Sequence, residues 1–467
     1  MNHLLFDFEE AKKAYLHEPN PSLQVRSERI KRLVTMVNEN EENLCKAISA
    51  DFGQRNTTET KFAELTFIRQ AAHHTLKNLK QWMKPSKVNT PFHLRPSVSQ
   101  LIPESIGIVG IMSPWNYPLQ LALVPVISAF AAGNRVWLKP SERSSRTSGY
   151  LASLIAQYFH PSEFRVVCGE RDISEKFAEL PFDHLLFTGS TQAGKAVMKA
   201  AAPNLTPVTL ELGGKSPCVI DNNVNLKDAV SRVVYGKFLN AGQTCIAPDY
   251  VLVPHQTVND FISLFKDFTK KMYPNPSEQM THPIDQRQLE RWQFLVSDAQ
   301  NKGAQISSVF SEDELGAYPF NPTLALNPSS DSVVMREEIF GPILPIISYN
   351  TLEEAIHFIN RFDRPLALYW FGKDKENMSQ VLELTRAGGV TINDTLLHIA
   401  NEDLPFGGIG ASGMGSYHGK YGFDAFTHFK PVFTMKARFG IKALGGSKFI
   451  HPPYGKKIAR LIKFLSK

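Results

Sequence analysis

The sequence predicts an α/β protein built on doubly wound, mostly parallel sheets. Three observations carry this. From position 105 onward, short strand-like runs alternate with helical segments, the pattern of successive βαβ units. Several of those runs end in turn residues, at 113–118, 139–142 and 189–194, where an open α/β sheet carries its ligands. With 467 residues the chain can bury a large core and fill two or three domains.

The elements follow in order. Segment 22–84 reads as helices, with Ile30, Leu33, Val34 and Val37 forming one apolar stripe at helical spacing. Gly53 and Asn56 mark a break, and Asn56 with Glu59 three residues on has the spacing of an N-cap with a capping box. The next helix stops at Pro85, with Phe62, Leu65, Ala72, Leu76, Leu79 and Met83 as its buried seam. Segment 85–104 is proline-rich and reads as an extended arm or edge hairpin suited to association. Strands are expected at 106–112, 135–138, 164–168, 184–188 and 208–210, and helices at 119–132, 148–158 and 195–202. A second α/β unit follows, with helices 227–239, 257–271, 286–301 and 352–361 and strands 250–253, 366–371 and 388–393. A strand at 431–435 has no obvious local partner, and no internal repeat is present.

Composition narrows the function. An apolar share of 43% with 21% charged residues is that of a soluble globular enzyme. The net charge of +6 is small and lies partly in the tail, so no nucleic-acid partner is expected. Cys45, Cys168, Cys218 and Cys245 lie far apart, which predicts neither a zinc ribbon nor a disulfide framework, but reduced thiols in a cytoplasm. The 14 histidines show no HExxH spacing, so no metal site is expected, and His73 and His74 read as solvated helix residues. The acidic amino-terminal stretch does not read as a secretory signal. Segment 119–133, interrupted by Gln120 and Pro125, is too short to span a bilayer.

Five stretches carry chemistry. The loop 240–248 sets Cys245 among backbone N–H groups that can lower a thiol pKa and hold an oxyanion; a buried turn cysteine has the same local sequence. Gly189, Ser190 and Gly194 sit between a strand and a helix, where N–H groups and the helix dipole attract phosphate. The pattern departs from GxGxxG, and a tight turn alone also needs glycine. Lys139 and Glu142 stand at another strand end, where they can take ribose hydroxyls, with the carboxylate disfavouring a 2′-phosphate, or merely start a helix. Glu211 lies about 20 residues past Gly189, the fingerprint spacing of a ribose acid. It equally suits a general base aimed at water near Cys245, and spacing does not choose. Asn116, between two prolines, is an oxyanion donor or a turn former.

Taken together, an ordered set of motifs resembles the aldehyde dehydrogenase superfamily over nearly the whole chain. The set is Pro114-Trp115-Asn116, Lys139-Pro140-Ser141-Glu142, Phe187-Thr188-Gly189-Ser190, Leu210-Glu211-Leu212-Gly213-Gly214-Lys215, Gly242-Gln243-Thr244-Cys245, Glu337-Glu338-Ile339-Phe340-Gly341-Pro342 and Pro405-Phe406-Gly407-Gly408. The stretch 207–217 looks like the class 3 branch. Within it, Ala50-Asp51-Phe52-Gly53-Gln54-Arg55 and Asn393-Asp394-Thr395-Leu396-Leu397-His398 look most like the bacterial coniferyl aldehyde dehydrogenases.

The resemblance implies an aldehyde dehydrogenase-like fold. Its parts would be a Rossmann-type NAD-binding domain (1–84 and 105–210), a second α/β catalytic domain (211–395), a small β oligomerisation arm (85–104 and 423–440) and a tail (441–467). It implies Cys245 as nucleophile, Asn116 and the Cys245 N–H as oxyanion donors, and Glu211 as the base for thioester hydrolysis. That places Glu211 in catalysis, against the ribose reading. The implied cofactor is NAD, with NADP also accepted in this branch. Glu338 and Phe340 would meet the nicotinamide ribose, Lys139 and Glu142 the adenine ribose, and Ser190 a phosphate, with Trp115, Gly189 and Gly194 also on the cofactor side. Tyr117 and Phe406 match positions lining the substrate tunnel, which suits an aromatic or apolar aldehyde. Glu211 argues against a coenzyme A-acylating relative, which lacks that base. A homodimer is implied. The basic amphipathic tail fits three roles: contact with an anionic membrane surface, capping of a partner's tunnel, or packing on its own domain.

Overall fold

The structure is a computed structural model and describes residues 2–91, 94, 97–435, 452–454 and 456–465. Positions 436–440 of the expected arm and 441–451 of the tail lie outside the described residues.

Two large sheets dominate. The first has six strands in the order Gly413–Met414, Val208–Glu211, His184–Thr188, Ile108–Met112, Arg135–Lys139 and Phe164–Val166. All neighbours run parallel except Gly413–Met414, which pairs antiparallel with Val208–Glu211. The three central strands are buried at every position, as expected of a parallel sheet covered on both faces, and this explains their unbroken apolar runs. Helix Gln120–Ala132 is likewise buried along its whole length, with Pro125 inside it.

The second sheet has seven strands in the order Gln305–Ser308, Thr323–Leu326, Ile343–Tyr349, Tyr250–Pro254, Pro217–Ile220, Ala367–Phe371 and Gly389–Ile392. Four of these, at 217–220, 305–308, 323–326 and 343–349, were not anticipated. Three are only four residues long. The fourth carries Pro345, and proline in a run weakens the strand pattern.

A third sheet joins Ser86–Val88, Val98–Ser105 and Thr427–Thr434, all antiparallel. Thus the late strand has a partner in its own chain, with Pro431 opposite Leu101. That pairing spans most of the sequence, and no local pattern reveals it.

Three expectations for the helical region are corrected. Phe62 is 52% exposed rather than part of the seam. Residues Lys61–Thr66 form a π-helix, whose wider turn shifts the facing and turns Glu64 inward beside Leu65, which is buried as expected. Asn56 does cap the next helix by accepting the Thr58 N–H at 2.9 Å. Glu59, however, closes no capping box, because its carboxylate reaches across the molecule to the Asn240 N–H at 2.9 Å. His74 is not simply solvated, since its Nε2 meets Asp403 at 3.0 Å. No helix among the described residues is long and apolar enough to cross a membrane.

Candidate active site

Strand topology gathers the site. Ile108–Met112 lies between Arg135–Lys139 and His184–Thr188, and Val208–Glu211 comes next. All four run parallel, so Asn116, Lys139, Gly189 and Glu211 follow or close the carboxyl ends of adjacent strands, the ligand edge of such a sheet.

The cysteine loop follows helix Leu226–Phe238. Asn240 and Ala241 both hold φ near +53°, and Gly242 holds φ +75°. Two consecutive non-glycine residues in the left-handed region are strained, and such strain collects at functional sites. A Cβ at position 242 would collide with the Gly341 carbonyl, so only glycine lets the two loops approach. Cys245 is half-buried. Burial pushes its thiol up first, and the charges of Glu338 and Glu211 add to that; the backbone N–H groups of Cys245 and Ile246 oppose it.

Asn116 is buried, and its Nδ2 donates to the Gln243 carbonyl at 3.1 Å, so its amide faces the cysteine loop. Tyr117 Oη lies 2.7 Å from Thr244 Oγ1, immediately before the cysteine. Glu211 is 2% exposed, and neither carboxyl oxygen has a partner. Burial holds its pKa well above the usual carboxylate range. This unpaired buried carboxyl lies close enough to Cys245 and Tyr417 for its charge to act on both.

Glu338 rests against Gly213 and Gly214, where a Cβ at 213 would strike its carboxylate. Burial, with Asp249 adding, raises its pKa to about 8, against the Gly214 N–H, Lys215 and Arg291. Phe340 holds φ +52°. Its carbonyl takes bonds from Gln288 Nε2 at 2.9 Å and Trp292 Nε1 at 3.0 Å, which hold that conformation. Its ring meets Trp115 edge-on at 5.3 Å, and Arg143 stacks on the other partner of that pair, 4.5 Å from the Trp115 ring.

On the far side, Lys139 is buried, with Nζ bonded to the Pro140 carbonyl at 2.8 Å and 3.5 Å from the exposed Glu142 carboxylate. Burial lowers the lysine's pKa, and Glu142 opposes that. Ser190 is exposed and caps helix Thr191–Ala201, accepting the Ala193 N–H at 3.3 Å. A Cβ at Gly189 would lie 2.5 Å from the Phe187 ring, and one at Gly194 2.7 Å from Leu212. Both glycines therefore permit close packing of strand, turn and helix. An uncovered helix N-terminus at one strand end and a lysine–carboxylate pair two strands away fit the phosphates and ribose of a dinucleotide.

Phe406 is buried between two imidazoles, stacked on His398 at 6.0 Å and on His418 at 5.3 Å, with the Tyr417 ring edge-on at 5.9 Å. Burial lowers His398 to about 4, and burial with His398 lowers His418 to about 3, so both rings are neutral at physiological pH. The Tyr417 hydroxyl and both His418 nitrogens are buried without partners. Tyr417 and His418 escaped the sequence reading, which takes Glu59 only as a capping residue and Thr244 only as part of the cysteine motif. The one usable signal was Ser416-Tyr417-His418-Gly419, polar residues inside a glycine-rich run.

Comparison with known proteins agrees with this arrangement. Residues 7–432 match the model of the "Aldehyde dehydrogenase family". A "Probable coniferyl aldehyde dehydrogenase" of Pseudomonas aeruginosa is 46% identical over 464 residues, covering 99% of this chain and 96% of its own. A substrate-bound AldH of Staphylococcus aureus superposes with a TM-score of 0.91 at 37% identity over the full length of both chains. Betaine aldehyde dehydrogenase of the same species, solved with NAD+, gives 0.82 at 25% identity over 94% of this chain and 89% of its own. The chain belongs to the aldehyde dehydrogenase family and oxidises an aldehyde to the carboxylic acid with a nicotinamide cofactor.

Proposed function

We propose that Cys245 is the nucleophile, that coniferyl-type aromatic aldehydes are the substrates, and that NAD is the preferred cofactor. The observation that carries the catalytic assignment is the convergence of three groups from separate segments: the Cys245 thiol, the unpaired Glu211 carboxyl and the Asn116 amide facing the cysteine loop. The Cys245 sulfur, as thiolate, adds to the aldehyde carbon, and the carbonyl oxygen becomes an oxyanion. Asn116 Nδ2 and the Cys245 N–H donate to that oxygen, the Asn116 amide turning from its present bond to the Gln243 carbonyl. A nicotinamide, when bound, would supply the hydride acceptor for the two-electron oxidation, and Cys245 would carry the resulting thioester. Glu211 then takes a proton from water as the water oxygen attacks the thioester carbon, which releases the acid and the thiolate. Burial suits Glu211 to this, because a raised pKa makes it a stronger base.

Lys139 and Glu142 are proposed to hold the adenine ribose, Ser190 and the turn Gly189–Gly194 the phosphates, and Glu338 with Phe340 and Trp115 the nicotinamide end. The Glu142 carboxylate repels a 2′-phosphate, and nearby Arg143 is neutralised by Asp285 at 2.7 Å; both favour NAD. The coniferyl assignment rests on the named Pseudomonas relative and on the aromatic surroundings of Tyr117, Phe406 and Tyr417. We also propose a homodimer joined through the three-stranded sheet, where Val88 and Phe433 are exposed, and a cytoplasmic location. NADH formation at 340 nm with coniferyl aldehyde against decanal tests the substrate. Faster turnover of coniferyl aldehyde is expected; preference for decanal would overturn the aromatic assignment.

A further inference from the structure

We infer that Arg55 and Glu59 are positioning residues for this reaction, setting the Asn116 amide and the Cys245 loop in register from behind. The inference rests on the roles proposed above for Asn116 and Cys245.

The oxyanion donor and the nucleophile lie on separate segments, 113–118 and 240–245, far apart in sequence. The cysteine segment is poorly determined by its own backbone. Asn116 sits between two prolines, and the approach to Cys245 passes through two strained left-handed residues. A loop of that kind needs outside contacts to hold one conformation.

A buried cluster supplies them. The Arg55 side chain is fully buried, with Nη1 2.7 Å from Glu64 Oε1 and Nε 3.5 Å from Glu59 Oε1. The same Nη1 reaches the Asn116 carbonyl at 3.3 Å, and the guanidinium lies over the Tyr117 ring at 4.9 Å. Arg55 therefore grips the oxyanion segment at two consecutive residues. Glu59 Oε1 accepts the Asn240 N–H at 2.9 Å and the Thr281 hydroxyl at 3.2 Å, so it grips the strained start of the cysteine loop. Glu64 Oε2 takes the Leu119 and Gln120 N–H groups at 2.7 and 3.1 Å, anchoring the helix that follows the oxyanion segment. Asn240 closes the circuit, its Nδ2 donating to the carbonyls of Asn116 at 2.9 Å and Gln243 at 3.2 Å.

The links between the two segments are thus hydrogen bonds, one ring contact and the Arg55–Glu59 ion pair, and the cluster touches neither the thiol nor the Asn116 amide. A misplacement of about 1 Å at reacting groups can cost on the order of a hundredfold in rate. That is the scale on which Arg55 and Glu59 act.

The test is a double-mutant cycle on Glu59 and Asn116. Glu59→Ala is expected to lower kcat by about tenfold to a hundredfold while leaving the Kd for NADH, followed by its fluorescence, within about twofold. Glu59→Gln keeps an acceptor oxygen for the Asn240 N–H and is expected to recover most of kcat. Asn116→Ala is expected to be impaired, and the double variant to fall by less than the product of the two losses, because Glu59 sets the register of the cysteine loop against that amide. If alanine at 59 prevents folding, Glu59→Asp, which withdraws the carboxylate by one methylene, takes its place with the same expectation for kcat and NADH binding. Losses that multiply in the double variant would overturn the inference, as would full activity of the single Glu59 variants beside an impaired Asn116→Ala. Full activity of Asn116→Ala would instead overturn the oxyanion assignment on which the inference rests.

Discussion

The two ends of the site are built on opposite terms. At the cofactor end, polar groups are satisfied or exposed: Lys139 is bonded to the Pro140 carbonyl, Ser190 caps a helix, and Glu142 lies at the surface. At the thiol end, Glu211, Tyr417 and His418 are buried with unpaired polar atoms, each costing roughly 1–3 kcal/mol in desolvation. A surface that binds a soluble dinucleotide can stay wet. A site that forms and hydrolyses a thioester gains from dryness, because charges exert more force there. The unfavourable burial at one end is therefore expected to be chemical in purpose, and the satisfied contacts at the other to be adhesive.

The largest effect should come from the nucleophile. Cys245→Ala should abolish aldehyde oxidation, a loss of at least about 10⁴-fold, while NADH binding, measured by fluorescence titration, stays intact. Surviving turnover would remove the cysteine mechanism; lost cofactor binding would erase the division between the two ends.

Next comes the base. Glu211→Gln should preserve the first burst of NADH and slow the steady state by about a hundredfold, since only hydrolysis needs the carboxylate. The wild-type rate should also depend on pH in a definite sense. Burial raises the pKa of Glu211, and that of Glu338 to about 8. The working form of Glu211 is deprotonated, so the steady-state rate should rise as the pH climbs through its raised pKa and fall below it. A flat profile in the wild type would mean that neither carboxyl governs turnover. Loss of cofactor binding in Glu211→Gln would restore the ribose reading of this residue.

The same contrast explains what the sequence could convey. The first sheet was largely legible because its strands are buried on both faces and read as apolar runs, as at His184–Thr188. The turn at 189–194 and the helix after it were legible because turns need glycine and helices need caps, local demands that Ser190 and Gly194 meet within a few residues. The second sheet lost four strands to short length and to Pro345. At the thiol end, Cys245, Glu211 and Asn116 could be singled out, but spacing left each with a second reading. What joins them is non-local: Glu59 reaches Asn240, and Arg55 reaches the Asn116 carbonyl. Glu59 even carried a local signal, the capping box, that pointed to the wrong partner. The π-helix at Lys61–Thr66 has no comparable signature, so Phe62 was turned inward on paper and faces solvent in the fold.

The smallest effect should fall at the cofactor end. Ser190 Oγ already accepts the Ala193 N–H, so its oxygen serves the helix and only its proton is free for a phosphate. Ser190→Ala should cost about 1 kcal/mol of stability through the lost cap. It should weaken NAD binding by no more than about tenfold, the worth of one hydrogen bond to a charged group, with kcat unchanged. The helix N–H groups and dipole remain in the variant, so most of the phosphate affinity should remain with them. A larger loss would mean that the hydroxyl, rather than the helix N-terminus, dominates phosphate recognition. A fall in kcat with intact binding would mean that this end also sets the geometry of the chemical step, and the separation of adhesive from chemical contacts would then fail.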